Sequence, residues 1–568
     1  MKKTANPPRW LGVLGASCVA ILGIVYLIAL FVKRHPTIGP DEFGFLMNGQ
    51  RLIGNSEVPL TESMRSFYMV GYSYVTAAAA FIGGNMRAEF TISLIFNMFF
   101  VFFTGVLVKK FSQRHLGLSR EWSIGIAIAI CMMPTIAANA LFSFSESLSR
   151  LCFTLLVFLV FEYARGPQLL LGVSIGLLTP LMTVIHGRFI LVLPLVFLAL
   201  LTALITDLKS RFRTVAGSAL VLVVALYVMR LSNFWLRDDL YPEAKGQEGR
   251  VIGKFLDPNN VSAIIRATGS QGWYLLATTF GVSLFGLAMF VMMTRKNLAH
   301  FRQLNWLGPF FAISASFAVL FTSSLQLILI LRPDHLAYGR YSEVVTPLFF
   351  ASGMSLILTH KELFQRWWWV GLASIAALCA FFIVGSGGDN LRIRMARGEY
   401  FEIGNGIGLA IPKKLLEPMG YISTTLLFVA IGILLTRILM KNVALGLAGV
   451  MLLSIASSSY TIVEQIIPRR SSSHELTLDD LVKRNTREPS ETLIGFDIAA
   501  ADIHKYFDYR YLVHPIQISR LDVYFDIPSD RKCVIGKEER PLRGKWLLEG
   551  REESLGLVLW KRQGVDSC

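Results

Sequence analysis

Charged side chains are scarce in this sequence. They make up 17% of its 568 residues, against 53% that are hydrophobic. A soluble chain of this length splits into several domains and carries far more charge. Cysteine is also sparse, with six residues. No CxxC pair and no Cys/His metal spacing appears, which removes zinc-finger and thioredoxin-like readings. Cys18, Cys131, Cys152 and Cys379 fall inside apolar runs and read as inert thiols. Cys533 and Cys568 lie in a polar tail, where they either pair or leave Cys568, the last residue, free. A Walker A loop and a GxSxG elbow are both missing. Gly404-Asn405-Gly406-Ile407-Gly408 lacks the strand–helix context of a nucleotide loop. Nothing indicates a metal or an organic cofactor; Arg237-Asp238-Asp239 offers carboxylates to a divalent ion but reads as a solvated loop.

Long apolar runs are abundant. About 20 residues cross the ~30 Å hydrocarbon core of a bilayer. Runs of that kind sit at 10–32, 88–108, 121–141, 147–164, 168–186, 188–206, 214–231, 273–294, 306–330, 341–359, 367–385, 421–437 and 443–462. The expected fold is therefore mainly α: a polytopic bundle of about 13 spans over residues 1–462. Lys2, Lys3 and Arg9 precede the first run, which is too long for a signal-peptide core and lacks a cleavage site, so it is expected to be retained.

The net charge of +16 comes without any nucleic-acid-binding pattern. Its basic residues sort by loop instead. Lys109, Lys110, Arg114 and Arg120 share a side with Lys209, Arg211 and Arg213. Arg295, Lys296, Lys361, Arg366, Arg437 and Lys441 fall there too. The positive-inside rule makes that side cytoplasmic, with the N-terminus inside; Lys33 and Arg34 run against it locally. The long loops 33–87, 232–272 and 386–420 and the tail 463–568 are then extracytoplasmic. The expected location is the plasma (inner) membrane. Phe67–Gly83 reads as an outer amphipathic or re-entrant helix, because a crossing there would put the basic loops outside. The tail has strand character at 521–527, 545–548 and 555–561, and a small β-rich domain is expected.

Five polar clusters fall on the outer side. Asp41-Glu42 follows the first span, and adjacent carboxylates at a membrane surface are costly unless solvated or used. A helix N-terminus is the simpler account, and Pro40 suits it. Glu146 sits in Ser145-Glu146-Ser147, where it either caps a helix or joins Asp41. His186-Gly187-Arg188 suits a phosphate group, or a snorkelling arginine. The densest cluster holds Arg332, Asp334, His335, Tyr338, Arg340, Tyr341 and Glu343; Arg340 and Glu343 are spaced to pair on one helical face. Gln271, Trp273 and Tyr274 stand at another outer boundary, where aromatics usually anchor a span. Tyr72 in the first outer loop can face a cavity.

Together, Asp41-Glu42, Gly71-Tyr72-Ser73, Ser145-Glu146, His186-Gly187-Arg188 and Tyr338-Gly339-Arg340-Tyr341 resemble membrane glycosyltransferases of the GT-C superfamily. That group includes protein O-mannosyltransferases, the lipid A aminoarabinose transferase and actinobacterial arabinofuranosyltransferases. The resemblance covers roughly residues 10–360. It implies a polyprenyl-phosphate sugar donor, inverting transfer outside the cytoplasm, and an acidic base in the first outer loop. Asp41 matches that base, with Glu42 adjacent, and Glu146 matches the second acidic position. His186, Arg188, Arg332, His335, Tyr338, Arg340 and Tyr341 are the expected contacts to donor phosphate and lipid. Tyr72, Gln271, Trp273, Tyr274, Asp334 and Glu343 are the expected substrate contacts. The partners implied are the lipid bilayer, the donor, and a glycan, glycolipid or protein acceptor.

Two rival readings remain. A transporter or lipid-carrier flippase predicts charges near the bilayer midplane and internal repeats. The charged groups instead stand at span ends, and no half-repeat is evident. A glycan polymerase or ligase using diphosphate-linked donors also needs outer arginines, but has less need of Asp41-Glu42.

Overall fold

The computed structural model describes residues 6–32, 36, 39–55, 67–241, 253, 255–328, 339–360, 362, 371, 374, 430–435, 437–467, 477–489, 491–497, 499, 506, 509–511, 513, 516–523, 527–552 and 556–568. Among these, eight helices are long and apolar enough to cross a membrane. Five are α1 (Arg9–Val32), α4 (Met86–Arg114), α7 (Glu146–Arg165), α11 (Leu208–Leu240) and α14 (Leu307–Leu327). The others are the segments Gly187–Thr206, Gly339–Thr359 and Val443–Glu464. Phe31, Phe81 and Leu170 are exposed at 75% or more, a surface that suits hydrocarbon rather than water.

The expectation of about 13 spans differs from this in identifiable places. The run 121–141 bends by 66° between α5 (Arg120–Cys131) and α6 (Pro134–Ala137). Pro134 cannot continue the hydrogen-bond ladder. Side chains satisfy the freed carbonyls: Arg150 and Asn139 donate to Thr135 O, Tyr26 to Ala137 O, and Ser458 to Met132 O. A break in a span is tolerated on that condition. The run 273–294 divides into α12 (Val261–Thr278) and α13 (Val282–Leu298), where Phe280 and Gly281 take φ of 54° and 79°. The run 168–186 becomes α8 (Leu169–Ile185), of 17 residues. The runs 367–385 and 421–437 lie mostly outside the described residues. Phe67–Gly83 forms α3 (Val70–Gly83), which packs on α2 (Gly39–Leu52) and α4.

Small residues let helices approach closely, as membrane packing requires. A Cβ on Gly286 would stand 1.9 Å from Phe349 O, and one on Gly353 would stand 2.1 Å from Val282 O. The crossing of α13 with α16 (Thr346–Thr359) is therefore backbone on backbone.

The tail forms a five-stranded sheet of order β2-β1-β3-β5-β4. Its strands are β1 (Leu493–Asp497), β2 (Gln517–Leu521), β3 (Cys533–Lys537), β4 (Trp546–Glu552) and β5 (Leu557–Arg562). β1 pairs in parallel with β2 and β3, and β5 runs antiparallel to β3 and β4. Cys533 and Cys568 form a disulfide, with Cα atoms 5.3 Å apart, that ties the last residue to β3. The domain clamps onto the bundle. Arg87 of α4 pairs with the buried Asp479 at 2.9 Å. Tyr511 donates to the Met86 carbonyl. Arg510 lies over the Phe43 ring of α2. Tyr509, Tyr511 and Ile516 share one apolar cluster with Phe43, Leu46 and Met47. The tail thus braces α2, the helix that carries Asp41 and Glu42.

Candidate functional site

Asp41 and Glu42 occupy the first turn of α2, where the helix dipole favours carboxylates. Their side chains part from there. Glu42 is fully buried and its Oε1 accepts the Ser143 backbone N–H at 2.8 Å. The Asp41 side chain stays 30% exposed. Arg340, 299 residues away, binds it through Nη1–H to Oδ2 at 2.5 Å. The same guanidinium donates from Nε to Glu146 Oε1 at 2.5 Å. Its flat face lies 4.0 Å from the centroid of Phe144. The planar fork of arginine suits two carboxylates at once, and a lysine does not. Tyr68 completes the cluster by donating to Asp41 Oδ1 at 2.7 Å. Burial, and Asp41 beside it, hold the Tyr68 hydroxyl well above its ordinary pKa, so it is a donor there.

Arg340 is the second residue of the helix α15 (Gly339–Ser342), and that segment is pinned from two sides. Arg188 is fully buried and donates from Nη1 to the Arg340 carbonyl at 3.1 Å. Glu343 Oε1 accepts from the Tyr274 hydroxyl at 2.5 Å, and its Oε2 from Asn139 at 2.7 Å. Arg150 stands 3.4 Å from Glu343 Oε2. Gly339 makes this possible, because a Cβ there would meet the Tyr274 ring at 1.8 Å. The spacing of Arg340 and Glu343 suggested that they pair with each other. Instead Arg340 takes Asp41 and Glu146, and Glu343 takes Arg150.

Three carboxylates thus pair with two guanidiniums, Asp41 and Glu146 with Arg340 and Glu343 with Arg150, which offsets much of the cost of burying them. Some buried polar atoms still lack a protein partner among the described residues: Glu146 Oε2, Arg188 Nε, Arg150 Nε and Nη1, and both ends of the Gln271 amide. Orphaned groups of this kind are costly unless water or a polar ligand meets them.

Other expected residues take different positions. His186 packs edge-on against Tyr341 at 4.8 Å, and its Nδ1 accepts the Arg188 N–H at 3.3 Å. Tyr341 also lies under the Arg188 guanidinium. Tyr72 is buried and donates to Asn97 of α4 at 3.2 Å, bridging two helices. Trp273 and Tyr274 are buried rather than set in an interfacial belt. Arg332, Asp334, His335 and Tyr338 lie outside the described residues. Among the described residues, no group of three or more His, Cys, Asp or Glu side chains is arranged to hold a metal ion.

Arg150, Asn139, Tyr68 and Phe144 are members of the cluster that the sequence reading passed over. Arg150 carried a usable signal, because a charge inside an apolar run is a functional flag.

The helical bundle, the broken helix at the site and the braced terminal sheet make up a polytopic membrane fold. Two solved structures share it over nearly the whole chain. ArnT from Cupriavidus metallidurans bound to undecaprenyl phosphate matches with a TM-score of 0.55 and 11% identity, over 97% of this chain and 98% of that one. ArnT from the same organism in the apo state matches with a TM-score of 0.54 and 12% identity, over 96% and 98%. The chain therefore has an ArnT-like fold and is a multi-pass membrane protein. No protein-family model matches it, and no curated protein does.

Proposed function

We propose that this protein is a GT-C-type glycosyltransferase that moves a sugar from a polyprenyl-phosphate donor to an acceptor on the extracytoplasmic face. The observation that carries this reading is the meeting of Asp41, Glu146 and Arg340 from three distant segments. The undecaprenyl phosphate bound to the structurally similar ArnT supports a lipid-phosphate donor. Pentose (arabinofuranose-like) and hexose (mannose-like) donors both fit. So do glycan, glycolipid and protein acceptors.

In this reading Asp41 is the base, as the accessible carboxylate of the cluster. The acceptor hydroxyl gives its proton to Asp41 as its oxygen attacks the anomeric carbon from the face opposite the phosphate. The C–O bond to phosphate breaks, and the polyprenyl phosphate leaves with the electron pair. Arg340 faces the charge that develops on the leaving oxygen. Glu146 holds the Arg340 fork, and its second oxygen and the Gln271 amide suit sugar hydroxyls. Glu42 fixes the 143–145 turn beneath Phe144. Arg188 fixes the Arg340 backbone.

A transporter would place its charges near the midplane. Arg150 and Glu343 are each the fifth residue of a span, about 6 Å from its start. They are also paired to each other, so the observation favours a site at the membrane surface.

The test is to give the purified protein polyprenyl-monophosphate-linked mannose and arabinofuranose, and polyprenyl-diphosphate-linked sugars in parallel. Release of polyprenyl phosphate from a monophosphate donor is expected. Turnover confined to diphosphate donors would overturn the reading in favour of a polymerase or ligase.

A further inference from the structure

A groove of about 580 Å³ runs along α13 and touches α16 at Leu356. Leu284, Phe285, Ala288, Met292 and Leu356 form its apolar walls, and Gly371 lies at one edge. Arg295 and Lys296, in the last turn of α13, close one end. Both are exposed, and among the described residues no carboxylate lies within ion-pairing distance of either. The groove extends along α13 from Leu284 to Lys296. That is 12 residues, or about 18 Å of helix, close to the ~15 Å depth of one leaflet. An apolar slot one leaflet deep, closed by two exposed cations, matches a single lipid in both shape and charge.

We propose that this groove binds one anionic phospholipid, with an acyl chain along α13 and the headgroup phosphate at Arg295 and Lys296. The site is separate from the Asp41–Arg340 cluster and does not depend on the proposed reaction. Close packing gives it a fixed shape, because Gly286 and Gly353 lock α13 against α16. Ala288 leaves open the space that a larger side chain would fill. A soluble phosphate would gain the two cations but not the slot, so both features are needed.

The experiment uses the full-length protein in detergent. Retention of phosphatidylglycerol is measured by native mass spectrometry, with phosphatidylcholine as the neutral control. The wild type is expected to keep one phosphatidylglycerol in preference to phosphatidylcholine. Arg295→Ser with Lys296→Ser should weaken that binding about 30-fold, the effect of about two surface cations. Ala288→Trp keeps both charges and fills the slot, and should lose the lipid as well. Circular dichroism and melting curves check that each variant is folded. Equal retention of the two lipids by the wild type would overturn the proposal. So would unchanged binding in folded Ala288→Trp, which would leave only a general attraction between charges and membrane. Inorganic phosphate that competes with phosphatidylglycerol at equal concentration would contradict the slot.

Discussion

Removing Arg150 should destabilise the protein far more than removing Arg150 and the Glu343 charge together. The Arg150 and Glu343 side chains are each 1% exposed, with 3.4 Å between Nη2 and Oε2. At that distance, with an effective dielectric of about 20, the attraction is about 5 kcal/mol. Arg150→Met leaves the carboxylate buried with only Tyr274 and Asn139 for support. The expected loss is about 3–5 kcal/mol. Adding Glu343→Gln removes the orphaned charge and keeps the shape, so the double variant should recover about 2 kcal/mol or more of that loss. Thermal and denaturant unfolding in detergent, followed by tryptophan fluorescence, reads all four corners of the cycle without any substrate. Additivity of the two single losses to within about 0.5 kcal/mol would refute the idea that this pair is an energetic unit.

Arg340→Lys should lower transfer about 30-fold or more, because an ammonium cannot reach both Asp41 and Glu146 and one charge-assisted hydrogen bond is lost; steady-state release of polyprenyl phosphate reads it. Gly44→Ala places a methyl 2.2 Å from the Tyr68 ring; it should push that ring off Asp41 and cut turnover with little change in donor binding, read by comparing kcat with donor affinity. Cys533→Ser should loosen the tail, since a cross-link spanning 35 residues is worth about 4 kcal/mol; faster tryptic release of the tail, with the membrane bundle left intact, is the expected result. Gly286→Val should prevent α13 from meeting α16 and lower the melting temperature, whereas Gly12→Val, with open space around it, should not.

The membrane embedding and the polar clusters were legible because hydrocarbon thickness fixes run length and each cluster stands at a run's end. Asp41, Glu146 and Arg340 sit 105 to 299 residues apart in pairwise terms, as their numbers show. Sorting the loops by charge put all three on one side, and the structure places them in contact. The partners within the cluster were not legible. Arg340 and Glu343 are three apart, so local spacing favoured a pair between them; the longer reach to Asp41 and Arg150 comes from tertiary packing. Arg150 was hidden in an apolar run, where hydropathy averages over a single charge. The broken span at Pro134 and the split at Gly281 were lost in the same way, since a hydropathy window does not register a change of direction. β4 and β5 showed in their alternation, whereas β1 and β3 did not, and the run 521–527 meets β2 only at Leu521; the tail's hold on α2 and α4 rests on Arg510 and Tyr511, whose partners Phe43 and Met86 are more than 400 residues away.

The most direct measurement is transfer by the Asp41→Asn protein. With a polyprenyl-phosphate sugar that the wild type consumes, the variant should still bind the donor, because Arg340, Glu146 and the Arg188 contact remain. It should release polyprenyl phosphate at least about 100-fold more slowly, the usual contribution of a general base. Wild-type turnover by a folded, donor-binding Asp41→Asn protein would contradict the assignment of Asp41 as the base on which this account rests.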